Sequence, residues 1–501
     1  MTEKEDVLLL KYDDVSFTYR GGDKPSVQNI DLSIVEGRCV LLCGKSGCGK
    51  TSLLRICNGL VPNFYDGHVT GDILYRDKSL LGMSISDIVG IAGTVFQDPK
   101  TQFFTTDTTS EVAFGVENLA VAAKELGRIV GNAFRTMKIE RLRDRSLFAL
   151  SGGEKQKVAI ASIYAMNPAV YLFDEPSSNL DHDAIDELAR IIGLLKSKGK
   201  TVIVAEHRLY YLKDIVDEIY YLDDGLVTRH FSVEEFLSMR TEVRQSLGLR
   251  TMTLAEESPR VQLTTKGKEC LCLEEVTVFY GKRQVLEGID LRAEKGECIG
   301  IVGKNGVGKS LFVRTLTGLH GDSRGTFMVN GRAAGRKERL KQAYLVMQDV
   351  GYQLFADSVE EECRFGLRGV SDEEVANVLR RLRLYKHREK HPNILSGGQK
   401  QRLAVAVSDI SKKNVLVFDE PTSGQDYESM LLVSGLIEGL RKKGKLIFVV
   451  THDYEFICKT CTRIVHIDDG TVKDDFILDE NVAGQRKLQA IFNIPFEKRF
   501  D

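Results

Sequence analysis

At 501 residues the chain exceeds what one hydrophobic core supports, so at least two domains are expected. It is 43% hydrophobic and 28% charged, as ordinary globular proteins are, and a net charge of −2 gives no electrostatic ground for general nucleic-acid binding. No apolar run approaches the roughly 18 residues of a membrane-spanning helix, and ten cysteines scattered along the chain fit a reducing compartment better than a disulfide framework.

The N-terminus, MTEKEDVLLLKYDD, is acidic and carries no basic flank before an apolar core, so no export signal is expected. LLLKYDDVSFTY then reads as a strand ending at Tyr19. CGKSGCGKTSLL (43–54) follows, with the spacing Gly-x4-Gly-Lys-Thr. Its glycines, Gly44, Gly47 and Gly49, let successive N–H groups curl around phosphate, and the helix that opens there adds its positive end. Lys50 is expected to reach the β/γ oxygens, the Thr51 hydroxyl to ligate Mg²⁺, and Ser52 to complete the nucleotide-binding set. Cys48 lies inside this loop, so thiol alkylation is expected to inhibit and nucleotide to protect.

Further on, LSGGE places Ser151 as the N-cap of a helix, with Gly152 and Gly153 exposing N–H groups to an anion. The strand VYLFDE ends in two acids. Asp174 is expected to hold Mg²⁺, and Glu175, one residue on, to polarise an attacking water. TVIVAEH ends another apolar run at His207.

Every one of these elements then recurs. VGKNGVGKSLFV supplies Gly303, Gly306, Gly308, Lys309 and Ser310; LSGGQ supplies Ser396, Gly397 and Gly398; VLVFDE supplies Asp419 and Glu420; and VVTHD supplies His452. Tyr280 ends the strand-like LCLEEVTVFY, as Tyr19 ends its counterpart. Repetition over so long a period means tandem domains rather than a solenoid. Boundaries are placed at 5–245 and 270–501, joined by a polar linker at 246–269. Apolar strands alternating with helical stretches predict an α/β core in each. Cys458 and Cys461 (CKTC) read as helix residues without a second pair to complete a zinc site, and Cys270 and Cys272 as strand packing residues.

With its doubled signature pentapeptide, LSGGE and LSGGQ, the chain resembles the ABC ATPase family over nearly its whole length. That resemblance implies two tandem P-loop NTPase domains, each with a RecA-like core, an antiparallel β subdomain and a helical signature subdomain, using ATP and Mg²⁺. It implies that ATP at Lys50 is closed over by Ser396–Gly398, and ATP at Lys309 by Ser151–Gly153. Gln97 and Gln348 match the glutamine that senses Mg²⁺ and water, His207 and His452 the histidine that contacts the γ-phosphate, and Tyr19 and Tyr280 the aromatic that stacks on adenine. Two positions depart from the family pattern: Glu154 stands for the usual Gln of the first signature, and Gln425 for the usual apolar residue of the loop after Glu420. Both copies keep lysine, aspartate, glutamate and histidine, so two competent sites are expected.

One stretch is narrower in its likeness. FQDPKTQFFTTDTTSEVAFG (96–115) and MQDVGYQLFADSVEEECRFG (347–366) share Gln-Asp-x3-Gln-x-Phe and Glu-x2-Phe-Gly in register. This resembles the ATPase subunits of energy-coupling factor (ECF) importers, including the cobalt-type ATPases. The resemblance implies a motor for micronutrient uptake, peripheral to the cytoplasmic face of the membrane. Its partners would be a transmembrane coupling protein and a small substrate-binding membrane protein. The second glutamines, Gln102 and Gln353, are expected to open a short helix near the docking groove, with Phe103, Phe104, Leu354 and Phe355 offering apolar surface there. A ribosome-acting tandem ATPase would carry a long charged helical linker, or a Cys-rich N-terminus in its iron–sulfur form, and neither is seen. A fused sugar-importer ATPase is a nearer alternative, against which the glutamine–phenylalanine stretch weighs.

Overall fold

Cys39–Gly44 (β3) is buried along its whole length, so both of its faces must be covered. In the computed structural model, which describes residues 7–22, 24–260, 267–478 and 482–495, alternate residues of this strand feed two different cores. Cys39, Leu41 and Cys43 pack with the helical part of the first unit. Val40 and Leu42 pack with the N-terminal strands and the helix that follows the Gly-rich loop.

The first unit, Met1–Met252, contains two sheets. Leu8–Tyr19 (β1), Val27–Val35 (β2), Gly67–Tyr75 (β4) and Lys78–Ser79 (β5) form an antiparallel sheet in the order β2-β1-β4-β5. Ala92–Val95 (β6), Val170–Asp174 (β7), Thr201–Ala205 (β8), Glu218–Asp223 (β9) and Leu226–Ser232 (β10) join β3 in the order β10-β9-β3-β8-β7-β6. All pairs in that sheet are parallel except β9 with β10. Between β6 and β7 the chain leaves the sheet for the helices Thr108–Asn118, Ala123–Thr136 and Gly152–Met166. The register Leu42↔Ala205 and Asp174↔Ala205 brings the C-terminal ends of β3, β8 and β7 to one edge, where ligands of parallel α/β sheets gather.

The second unit, Thr253–Asp501, repeats the plan. Its antiparallel sheet orders Arg283–Glu294 (β12), Glu269–Tyr280 (β11), Ser323–Val329 (β14) and Arg332–Ala333 (β15) as β12-β11-β14-β15. Its mixed sheet joins Cys298–Val302 (β13), Ala343–Val346 (β16), Val415–Asp419 (β17), Leu446–Val450 (β18), Arg463–Asp468 (β19) and Thr471–Ile477 (β20) in the order β16-β17-β18-β13-β19-β20. The tandem P-loop NTPase architecture expected from the sequence is therefore present in both units.

The segment expected as a polar linker is packed over 246–260. Leu249 and Met252 are buried in the first unit's core. On the other side of the division Glu257 forms a buried pair with Lys459 (2.8 Å), and Arg260 N–H donates to the Cys458 carbonyl. The few apolar residues of this stretch, Leu249, Met252 and Leu254, are buried. Residues 261–266 of the expected linker lie outside the described residues. Cys458 and Cys461 are buried in and just after the helix Tyr454–Thr460, and Cys270 and Cys272 are buried in β11.

Candidate nucleotide site

Each Gly-rich loop leaves its strand through a backbone conformation that only glycine tolerates. Gly44 has φ 145° and Gly303 φ 146°, and a Cβ would fall 2.2 Å from the Leu222 carbonyl oxygen in the first case and 2.0 Å from that of Ile467 in the second. Gly47, Gly49, Gly306 and Gly308 also take positive φ, so both loops have one shape. Gly49 and Gly308 are the N-caps of the helices Lys50–Cys57 and Lys309–Leu316. Lys50 is buried, its ammonium donating to the carbonyls of Gly44 (3.1 Å) and Lys45 (3.2 Å). Lys309 makes the same pair of bonds, to Gly303 (2.7 Å) and Lys304 (2.8 Å).

At the end of β7, Asp174 accepts from the Thr51 hydroxyl at 2.9 Å. Burial, then the charge of Glu175, pushes its carboxyl up to about 6, against the pull of Thr51, Arg55 and Lys50. In the second unit burial likewise pushes Asp419 up, opposed by its hydrogen bond with Ser310 and by Arg314 and Lys309. Asp419 Oδ1 is buried with no hydrogen-bond partner among the described residues. A carboxylate paired with a hydroxyl, one of its oxygens still able to accept, is the hard-oxygen donor set that suits Mg²⁺.

Glu175 and Glu420 both sit in the left-handed region, with φ 45° and 50°. Non-glycine residues held there cost on the order of 1–3 kcal/mol. Glu175 Oε2 accepts from Gln97 Nε2 at 2.8 Å, and Oε1 lies 3.4 Å from His207 Nε2. The same imidazole nitrogen is 3.3 Å from Lys50 Nζ and 3.5 Å from Ser46 Oγ. In the second unit His452 Nε2 lies 3.7 Å from Glu420 and 3.0 Å from Asn305 Oδ1, the residue that matches Ser46. Gln348 follows β16 as Gln97 follows β6. Within each unit the lysine, hydroxyl, aspartate, glutamate and histidine named from the sequence are thus gathered at one sheet edge. Ser46, Asn305 and Glu206, which the sequence reading passed over, belong to the same cluster.

A model of the ABC transporter family matches residues 27–178 and 286–423. The chain belongs to the ABC transporter family. It is similar to an ABC transporter ATP-binding protein of Treponema denticola, with 42% identity over 465 residues, covering 91% of this chain and 95% of that protein. A counterpart from Saccharolobus solfataricus is 32% identical and covers 92% of each chain. Among solved structures, the archaeal ribosome recycling factor aABCE1, in complex with the ribosomal stalk protein aP1, aligns over 97% of this chain and 94% of its own with a TM-score of 0.64. At 23% identity that likeness speaks to the fold alone. The chain cbiO1 of Clostridium perfringens, part of the complex cbiONQ, is 28% identical, spans 48% of this chain and 94% of its own, and has a TM-score of 0.43. ATP hydrolysis is the activity of this ABC family.

The ABC signature serines are N-caps as expected. Each closes a capping box, Ser151 with Glu154 and Ser396 with Gln399. The departure at Glu154 is thereby explained: an acceptor oxygen is what the Ser151 N–H requires, and Glu154 Oε2 supplies it at 3.0 Å, as Gln399 Oε1 does for Ser396 at 3.0 Å. Gly152, Gly153, Gly397 and Gly398 form the first turns. The second departure, Gln425, is buried and donates to the Pro421 carbonyl within its own loop. The two tyrosines differ. Tyr280 is 71% exposed, whereas the Tyr19 hydroxyl accepts from Arg55 (3.0 Å) and shares a bond with Ser52 (3.2 Å). Cys48 is buried and burial raises its pKa, so the thiol is shielded rather than poised for alkylation.

The glutamine–phenylalanine stretch needs two corrections. Gln102 and Gln353 do not open a helix; they end the short 3₁₀ turns beginning at Pro99 and Val350. Their side chains turn inward to accept from the N–H of Phe96 (3.3 Å) and Met347 (3.1 Å), just ahead of Gln97 and Gln348. Nor do all four apolar residues face out. Leu354 is buried and Phe103 packs against the core, while Phe104 and Phe355 are 76% and 67% exposed. The recurring glutamate produces this split. Glu111 accepts from the N–H of Phe104 and Thr105, and Glu362 from those of Phe355 and Ala356, so each phenylalanine is held at the surface by a buried carboxylate. Phe114 stacks on Phe104 at 5.0 Å, and Phe365 lies 6.3 Å from Phe355.

Proposed function

We propose that this chain is the ATP-hydrolysing motor subunit of a membrane importer of the energy-coupling factor type, driving uptake of a vitamin, a vitamin precursor or a metal ion. One observation carries the reading: the doubled Gln-Asp-x3-Gln-x-Phe stretch, whose phenylalanines Phe104 and Phe355 stand exposed on a turn built twice by the same carboxylate staple. Exposed aromatics on a rigid turn suit an apolar helix of a membrane partner. Among the described residues no helix is long and apolar enough to cross a membrane, so the substrate path is assigned to a transmembrane coupling protein and a substrate-binding membrane protein. The chain is placed at the cytoplasmic membrane face through them.

In this reading ATP draws the two halves together, the signature turns Ser151–Gly153 and Ser396–Gly398 each meeting nucleotide held by the other half, and hydrolysis releases them. Thr51 with Asp174, and Ser310 with Asp419, hold Mg²⁺, which when bound neutralises charge on the phosphates. Lys50 and Lys309 exchange their loop carbonyls for phosphate oxygens. Glu175 and Glu420 orient water and take its proton, Gln97 holds Glu175 in place, Gln97 and Gln348 sense Mg²⁺ and water, and His207 and His452 face the γ-phosphate. Tyr19 and Tyr280 lie along the adenine.

The test is affinity capture of the tagged full chain in mild detergent, beside its Phe104→Ser, Phe355→Ser double variant. Small hydrophobic membrane proteins are expected with the native chain and not with the variant, while ATP turnover is retained. Capture of ribosomal proteins instead, or membrane partners kept by the variant, would sink the importer reading.

A further inference from the structure

The residue before the first histidine is not used by any step above. Glu206 continues β8, its N–H donating to the Leu42 carbonyl at 3.2 Å, yet its side chain is turned inward and buried. Oε1 accepts from the N–H of His207 (2.7 Å) and Arg208 (3.1 Å). Oε2 accepts from the N–H of Ser177 (3.2 Å) and the hydroxyl of Tyr211 (2.9 Å). A carboxylate only accepts, and four donors occupy it fully. One side chain therefore fixes the backbone of His207 together with the turn that follows Glu175. Arg208 doubles the link, donating to the carbonyls of Ser177 (3.3 Å) and Leu180 (3.4 Å).

The second unit solves the same problem with a different set. Thr451 stands for Glu206, Asp453 for Arg208 and Phe456 for Tyr211. Thr451 donates to Glu420 at 3.4 Å and accepts from the Asp453 N–H at 3.1 Å, while Asp453 accepts from the Thr422 hydroxyl at 2.9 Å. The three positions switch together. A tyrosine hydroxyl without Glu206 would be buried unpaired, and Glu206 without Tyr211 would lose one of its four donors.

We infer that Glu206, through its bonds to His207, Arg208, Ser177 and Tyr211, is a positioning residue that sets the histidine against Glu175 and Lys50 in the first ATP site only, so that one chain carries two differently braced sites. Glutamine at this position keeps the shape but turns one oxygen into a donor, which in either orientation faces at least one N–H that is itself a donor: Ser177 at one end, His207 and Arg208 at the other.

The inference rests on the assignment of Glu175 and His207 to the first site, and the experiment separates the two. Hydrolysis is read site by site in the full chain, by vanadate-dependent trapping of 8-azido-ADP with labelled peptides assigned to each half by mass spectrometry. Glu206→Gln is expected to lower trapping in the first half by about tenfold. The ATP concentration for half-maximal trapping should stay within about twofold, because the Gly-rich loop and Lys50, which supply most of the phosphate contacts, are unchanged. Combining Glu206→Thr, Arg208→Asp and Tyr211→Phe writes the second unit's set into the first and should restore trapping to within about threefold of native. Controls Glu175→Gln and His207→Ala should abolish the first-half signal; if they do not, the site assignment fails instead. Native trapping in Glu206→Gln overturns the inference. So does loss of trapping in parallel with ATP affinity and without recovery in the triple variant, since the carboxylate would then only hold the fold.

Discussion

Replacing Glu362 tests whether a carboxylate staple holds Phe355 at the surface. Glu362 Oε2 accepts from the N–H of Phe355 and of Ala356, each at 2.7 Å, and the side chain is buried. Glu362→Ala removes both bonds and supplies no substitute. Hydrogen bonds to a charged acceptor contribute roughly 1.5–3 kcal/mol each. Water can reach the Phe355 side of the turn, so the lower end applies and the turn should be destabilised by about 3 kcal/mol. Such a loss raises local opening about a hundredfold, since each 1.4 kcal/mol is a factor of about ten. Glu362→Gln keeps one acceptor oxygen without its charge and should cost about 1 kcal/mol, or roughly fivefold. Amide hydrogen exchange of 354–366 in the full chain reads this directly. The nucleotide cluster lies outside the turn, so ATP turnover should persist while capture of a membrane partner falls. Exchange in Glu362→Ala within about threefold of native would refute the reasoning.

Three further outcomes are expected. Glu175→Gln and Glu420→Gln should each lower ATP turnover in steady-state assays; an unaltered rate in either would end the claim of two competent sites. In EDTA, Asp174→Asn should melt higher than the native chain at pH 7.5. The carboxyl is raised from 3.8 to about 6, so the folded state holds its proton more tightly than the unfolded chain. Stability from this group then falls as pH rises from about 4 to 6, by about 3 kcal/mol at 1.36 kcal/mol per unit. The gain should vanish near pH 4, and an Asn variant no more stable at pH 7.5 would refute it. Glu154→Gln should leave the capping box intact and change stability by less than about 1 kcal/mol, since the lost Arg141 pair (2.9 Å) is largely exposed on its arginine side; a larger drop in thermal midpoint would mean that charge at Glu154, not an acceptor oxygen, is what the cap requires.

The nucleotide cluster was legible because its members are local. Gly44 to Thr51 form one loop and the start of the helix it opens, and Asp174 with Glu175 one strand end, so spacing alone assigns them. Glu206 was not legible. After an apolar strand a charged residue reads as the point where the chain meets water, and the donors that bury it come from Ser177 on another loop and Tyr211 beyond the histidine. The linker misled for a related reason. Leu249, Met252 and Leu254 are too few to mark an element by periodicity, yet all three are buried. The division among Phe103, Phe104, Leu354 and Phe355 follows from Glu111 and Glu362, which lie seven residues along the chain from the phenylalanines whose N–H groups they hold. Glu154 is the opposite case. Ser-x-x-Glu ahead of an apolar run is itself a cap signal, and reading it against the Ser-x-x-Gln of the other copy would have shown why either residue serves.

Two copies in one chain make each position a comparison under the same fold. Where residues differ and the contact survives, the requirement is chemical and narrow. Thr51 and Ser310 differ by a methyl group, and each bonds its aspartate. Ser46 and Asn305 differ in length, and each places an oxygen within 3.5 Å of its histidine. These substitutions define what the site needs: a hydroxyl at the aspartate and a polar oxygen at the histidine. The flanks of the histidine obey a different rule, because Glu206, Arg208 and Tyr211 share few contacts with Thr451, Asp453 and Phe456. Drift of single residues in a buried network would leave unpaired donors, each costing roughly 1–3 kcal/mol. A wholesale exchange of partners avoids that cost, so the two networks are better understood as alternative complete solutions than as one solution decayed.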